Sequence, residues 1–138
     1  MRFALAFTLA LALSPAEVFG HHSFAAEYDA SKPVTLKGVL SDIDWRNPHI
    51  YYFLDVKDDS GKVVKWKLEG YPPNMLVRRG GNRKDFLSRI GQEVTVTGWQ
   101  ARDGSTLAHS RVFEFVDGSK FETGPTAGTG GPTGSRTQ

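Results

Sequence analysis

Residues 50–69, IYYFLDVKDDSGKVVKWKLE, decide the fold class. The first seven residues are mostly aromatic and branched side chains, which favour strands, and Asp58 to Lys62 has the composition of a hairpin turn. From Val63 to Glu69, apolar residues alternate with Lys and Glu, which is typical of a strand with one buried and one wet face. We therefore expect two antiparallel strands joined by a tight turn.

Outward from this hairpin, the chain offers three more runs with strand composition: Val34 to Trp45, Glu93 to Gln100 and Leu107 to Val116. Gly38 inside the first run predicts a bulge or a sharp bend. The last run places His109 in phase with Leu107, Phe113 and Phe115, which predicts an inward-facing or rim histidine with its hydrogen bonds satisfied.

One short helix is predicted between the third and fourth strands. It covers Met75 to Arg79 with Asn74 as its N-cap, and a further helical turn is expected from Asn82 to Leu87. The order of elements predicts an all-β domain with one short helix, an OB-fold-like five-stranded Greek-key barrel. An open five-stranded sandwich with the same strand order is the alternative, since periodicity does not separate the two.

The 138 residues suit a single domain with terminal extensions. An apolar run after Arg2 predicts a signal peptide over residues 1–20, with cleavage after Gly20 or, alternatively, after Ala16. We then expect an extended arm at 21–33, the β domain at 34–121 and a disordered Gly/Thr/Pro tail at 122–138. Export to the periplasm or secretion follows, with no transmembrane anchor after cleavage.

Composition excludes several classes of function. The absence of cysteine excludes disulfides, thiolate metal sites and cysteine nucleophiles. Seventeen basic and 15 acidic residues are interleaved, so nucleic acid is not an expected partner. No catalytic motif is present, so we predict no catalytic residue and favour a protein that is not an enzyme.

Several short motifs together resemble a bacterial family. They are HHSFAAEYD at 21–29, VTLKGV at 34–39, WRNPH at 45–49, Pro73-Asn74 and Arg78-Arg79-Gly80. From His21 to about Phe121 the chain resembles domain-of-unknown-function family 6152. The resemblance implies a small exported protein of Gram-negative bacteria with one β-rich domain and no established activity.

The chain contains four histidines, and their positions suggest a metal site. If cleavage exposes His21, its α-amine and imidazole can chelate one ion, and His22 or His49 can add a donor, as in a copper histidine brace. The alternatives are that the pair His21-His22 binds divalent metal weakly and without function, and that His49 is a turn residue bonded to a backbone carbonyl. Copper is therefore a candidate cofactor.

The loops that bind ligands in OB folds carry aromatic and basic residues. These residues are Trp45, Arg46, Asn47 and His49 in one loop, and Trp99 and Arg102 in the other. They could form a stacking platform, or the tryptophans could instead fill the core. The leading expectation is a non-enzymatic ligand-binding or accessory protein with an unidentified periplasmic ligand or protein partner. The alternative is a copper-binding protein or copper redox enzyme that uses His21.

Overall fold

The computed structural model describes residues 24–126, and this part of the chain is mainly β, as predicted. Its elements are α1 (Phe24–Glu27), β1 (Tyr28–Asp44), β2 (Tyr51–Lys57), β3 (Val63–Glu69), α2 (Pro73–Arg78), α3 (Arg83–Leu87), β4 (Glu93–Ala101), β5 (Leu107–Phe115) and β6 (Lys120–Glu122). Within these residues no helix is long and apolar enough to cross a membrane.

The strands form one sheet in the order β3-β2-β1-β4-β5-β6, in which all these neighbours are antiparallel. In addition, β3 pairs in parallel with β5, where Glu69 lies opposite His109. The long strand β1 pairs with β4 in its first part and with β2 in its second, and Gly38 pairs with both neighbours. A Cβ at Gly38 would lie 2.5 Å from the Asp55 carbonyl oxygen, so glycine allows this close approach. The bulge itself lies further along, between Leu40 and Asp42.

The core lies on one face of the sheet, and α2 and α3 contribute to it. Its fully buried members include Leu40, Tyr52, Leu54, Leu68, Leu76, Phe86 and Phe113. The ring of Phe86 from α3 is in contact with several aromatic rings, among them Phe121 at a centroid distance of 4.9 Å and Tyr52 at 5.5 Å. Burial of these apolar side chains is the main stabilising contribution.

The helices differ from the sequence prediction in one cap. Helix α2 begins at Pro73, and its N-cap Pro72 makes no side-chain bond, so the prediction of Asn74 as the N-cap was wrong. Proline is favoured in the first helical turn because its fixed φ suits the helix and its missing N–H is not needed there. Asn82 caps α3 by accepting a bond of 2.9 Å from the Asp85 backbone N–H.

Ordered structure extends beyond both predicted boundaries of the domain. Residues 28–33, expected in the arm, belong to β1, and a short helix precedes them. Strand β6, absent from the prediction, pairs with β5, and Thr123 next to it is fully buried. The predicted signal peptide and most of the predicted tail, 127–138, lie outside the described residues.

Candidate functional site

The N-terminal helix packs on β4 and β5, on the face of the sheet opposite the core. The ring of Phe24 lies 5.5 Å from Trp99, 5.6 Å from Tyr28 and 5.4 Å from His109, measured between centroids. Arg102 holds the same segment, because its Nε donates to the Ala25 carbonyl oxygen at 2.8 Å. The residues that follow His21 and His22 in the chain are therefore anchored above His109.

Strand register places the polar residues of the site on one face of the sheet. Glu69 pairs with Tyr51 on one side and His109 on the other, and His109 also pairs with Trp99. Directly paired residues project from the same face, so these four side chains lie together on the face opposite Leu68.

A bulge in β5 changes the face on which His109 lies. Val96 pairs with Phe113, whereas Gly98 pairs with Ser110, so Arg111 is an extra residue in β5. One extra residue reverses the alternation of side chains. His109 is buried and hydrogen-bonded, as expected, but the argument from parity placed it on the wrong face, with Phe113, and it lies beneath the N-terminal helix instead.

Glu69 is the centre of the hydrogen-bond network. The Tyr28 hydroxyl donates to Glu69 Oε2 at 2.6 Å, and the Nδ1 of His49 lies 3.3 Å from Glu69 Oε1. Ser110 Oγ donates to the Glu69 carbonyl oxygen at 2.9 Å. Burial, reinforced by the bond to Glu69, raises the pKa of Tyr28 well above its ordinary value. Tyr28 thus stays a hydrogen-bond donor across the neutral range.

Both histidines of the site have the same hydrogen-bond arrangement. The Nδ1 of His49 is 3.1 Å from the Gly70 carbonyl oxygen, and the Nδ1 of His109 is 2.9 Å from that of Ser110. A carbonyl oxygen only accepts, so each Nδ1 carries the proton and each Nε2 keeps a lone pair in the neutral ring. Within residues 24–126 neither Nε2 has a hydrogen-bond partner. Histidines that bind metals are usually oriented by this kind of Nδ1 bond.

Burial and the Glu69 carboxylate determine the electrostatics of the site. Burial lowers the pKa of His109, although the Ser110 carbonyl and Glu69 act in the opposite direction, so its neutral form is favoured. Burial also raises the pKa of Tyr51, and the carboxylates of Glu69, Glu27 and Asp44 raise it further. Glu69 is thus the carboxylate that acts on both His109 and Tyr51, and its negative charge attracts a cation.

The described residues do not complete a metal site by themselves. Across residues 24–126 no group of three or more His, Cys, Asp or Glu side chains is arranged to hold an ion. His49 and His109 offer one lone pair each, while Glu69 is engaged by Tyr28 and His49. The other predicted donors, His21 and His22, lie outside the described residues.

The structure gives the residues of the two predicted ligand-binding loops different roles. Trp45 packs against the core, with its ring 6.0 Å from Phe86, as the alternative prediction for the tryptophans had it. Arg46 forms an exposed ion pair of 2.6 Å with Asp44, and Asn47 is exposed in the turn.

The residues of the second loop support the N-terminal helix, since Trp99 lies under Phe24 and Arg102 bonds to Ala25. His49 alone of the predicted loop residues reaches Glu69. Sequence reasoning missed Glu69 and Tyr28, which only non-local pairing brings together.

Comparison with known proteins gives one match. The model of a family of unknown function, DUF6152, matches residues 10–110, a range that includes every residue of the site described above. No curated protein and no solved structure matches the chain.

Proposed function

The chain belongs to the DUF6152 family, and we propose that it is a small exported, non-enzymatic protein that binds a transition-metal ion, copper(II) in particular. The observation that carries the proposal is the pair His49 and His109. They come from distant parts of the sequence, both have Nδ1 bonded to a backbone carbonyl, and both leave Nε2 without a partner within residues 24–126. Each ring is thus oriented by the fold and leaves one nitrogen available to an ion.

The remaining donors would come from the N-terminus. His22 and His21 precede Phe24 by two and three residues, which corresponds to at most about 7 and 11 Å of extended chain. Phe24 itself contacts the His109 ring at 5.4 Å. Cleavage after Gly20 would give His21 a free amine with a pKa of about 8. A metal ion can displace the proton of such an amine at neutral pH. A set of amine and imidazole nitrogens suits copper(II) best among the common divalent ions.

For the fold, we propose that the sheet closes into the OB-like Greek-key barrel. The parallel pairing of β3 with β5 supports closure, because it gives each of the first five strands two neighbours in the order β1-β2-β3-β5-β4. The two short helices lie between β3 and β4, where OB folds carry a helix. The metal site then lies on the outer face of the barrel, beneath the N-terminal helix.

The test is a copper(II) titration of protein that begins at His21, monitored by isothermal calorimetry with a competing chelator. We expect one equivalent to bind with a Kd below about 1 μM, and His49→Ala, His109→Ala and His21→Ala each to weaken it by at least 10-fold. A chain with one alanine added before His21 keeps every imidazole but moves the amine, so it tests the role of the amine separately.

The controls separate loss of ligand from loss of fold. Circular dichroism and the Tm of each metal-free variant show whether the domain is intact, and Tyr51→Phe alters a neighbouring side chain while leaving all donors in place. Weak binding that survives every single histidine change would refute the metal site. That result would instead favour ligand binding at the loop residues Arg46 and Asn47, which are exposed.

A further inference from the structure

Positive charge is concentrated in the segment that contains α2 and α3. Residues 73–90 hold five basic residues, Arg78, Arg79, Arg83, Lys84 and Arg89, and one acidic residue, Asp85. The whole chain has 17 basic and 15 acidic residues, so the rest of it has 12 basic and 14 acidic. The overall charge of the protein therefore conceals a local excess of four positive charges on this segment.

Three of the five cations have no counter-ion among residues 24–126. Arg79 pairs with Glu122 at 2.9 Å and Arg89 pairs with Asp117 at 3.0 Å. In the part of the chain that the structure describes, Arg78, Arg83 and Lys84 form no ion pair.

The two helices form one continuous surface. Leu76 of α2 and Phe86 of α3 are both buried, and a Cβ at Gly81 would lie 2.8 Å from a Leu76 side-chain atom and 3.2 Å from a Phe86 one. The two anchoring side chains therefore meet below Gly81. Arg78 and Lys84 are each two residues from an anchor, about 200° around the helix, and so project away from the core.

Exposed apolar side chains lie on the same segment. Met75 is 37% exposed, Val77 is 55% exposed and Ile90 is 39% exposed. They are three of the five large hydrophobic residues exposed among residues 24–126. Unpaired cations beside exposed apolar side chains are the features by which interfacial helices bind anionic lipid surfaces.

We propose that the α2–α3 surface, residues 73–90, binds the surface of an anionic phospholipid bilayer. The cations contact the phosphate groups, and Met75 and Val77 enter the interfacial region. An acidic protein offers similar charge chemistry, and the vesicle experiment distinguishes it from a bilayer. Binding of this kind does not depend on the metal site, because it uses other residues on other elements.

The experiment is co-sedimentation of metal-free protein, in the presence of a chelator, with large vesicles. We compare phosphatidylcholine containing 30% phosphatidylglycerol with phosphatidylcholine alone. We expect binding to the anionic vesicles at 0.15 M NaCl and its loss at 0.5 M NaCl, because salt screens exposed charges. R78Q/R83Q/K84Q should weaken partitioning roughly 100-fold.

Matched variants control for net charge and hydrophobicity. K37Q/K57Q/K62Q removes three exposed lysines that form no ion pair in the described residues, and it should change partitioning less than about 3-fold. M75S/V77S should weaken binding, whereas V63S/V116S, which alters side chains that are 54% and 73% exposed, should not. Equal binding to neutral vesicles, or equal losses in the test and control variants, would overturn the proposal. Retention on heparin without vesicle binding would overturn it too and would assign the surface to an acidic macromolecule.

Discussion

Tyr28→Phe and Tyr52→Phe each remove a hydroxyl group, on opposite faces of the sheet. We expect the two changes to alter stability in opposite directions. Tyr28 is 2% exposed, and its hydroxyl donates to Glu69 at 2.6 Å. Tyr52 is completely buried in the core, and its hydroxyl is the one buried side-chain N or O atom within residues 24–126 that lacks a hydrogen-bond partner.

The magnitudes follow from what each hydroxyl contributes. A hydrogen bond to a charged group contributes about 1.5–3 kcal/mol, so Tyr28→Phe should lower the free energy of unfolding by about 2 kcal/mol. A buried polar group without a partner costs about 1–3 kcal/mol, so Tyr52→Phe should raise that free energy by about 1 kcal/mol. In a domain of about 100 residues, 1 kcal/mol corresponds to a change of roughly 4–8 °C in Tm. The Tm values of the two variants should therefore differ by at least about 12 °C.

Thermal unfolding followed by circular dichroism, together with urea titration of the same samples, measures both effects. Tyr51→Phe is the matched control, because the Tyr51 hydroxyl has no hydrogen bond among the described residues, and it should change Tm by less than about 3 °C. The reasoning fails if both variants shift Tm in the same direction. A loss of stability in Tyr52→Phe would mean that its hydroxyl has a partner in solution.

Three further predictions address other parts of the fold. Two hydrogen bonds from Ser119, and then Arg89, lower the pKa of Asp117 to about 2. The stability from this lowered pKa is present above the unfolded value of 3.8 and is lost as the pH falls toward 2. Asp117→Asn should therefore make Tm depend less on pH between 3.8 and 2, and an unchanged dependence there would contradict this. A Cβ at Gly98 would collide with a carbonyl oxygen of β5, so Gly98→Ala should lower the free energy of unfolding by at least about 2 kcal/mol in urea titration. Gly104 lies in open space, so Gly104→Ala should cost only about 1 kcal/mol, and equal losses in the two variants would refute the clash. Phe24→Ala removes three ring contacts, so amide hydrogen exchange at residues 24–29 should accelerate while exchange in β2 stays unchanged. Equal acceleration in the two segments would show global rather than local loosening.

Local sequence patterns were sufficient for the β2–β3 hairpin. The Asp58 to Lys62 turn has bonds to the Asp58 side chain from the backbone N–H groups of Ser60 and Lys62, at 2.9 and 3.0 Å, which is the chemistry that its composition predicted. The alternation in β3 likewise predicted that Leu68 would be buried. Both features depend on residues close together in the chain, so a window of about 20 residues contains the information that determines them.

The candidate site depends on pairings that no local window contains. Glu69 reaches His109 through the parallel β3–β5 pairing, and it reaches Tyr28 across 41 residues of sequence. The bulged strand has no Gly or Pro beside Arg111, although Gly98 of β4 lies opposite, and the bulge reverses the side-chain alternation on which the prediction for His109 was based. Strand β6 has only three residues, which is too short for a periodic pattern.

The polar cluster under the N-terminal helix is not the simplest way to fix that helix to the sheet. Phe24, Tyr28 and Trp99 already supply aromatic contacts, and burying a carboxylate and an imidazole beside them costs free energy that hydrogen bonds only offset. Replacing such a pair with apolar residues is often neutral or stabilising. In this cluster the Nδ1 atom of each histidine bonds to a backbone carbonyl oxygen, whereas neither Nε2 forms a hydrogen bond within residues 24–126. The donors that the fold does not use therefore lie next to the segment that carries His21 and His22, and for this reason we place the proposed metal site there.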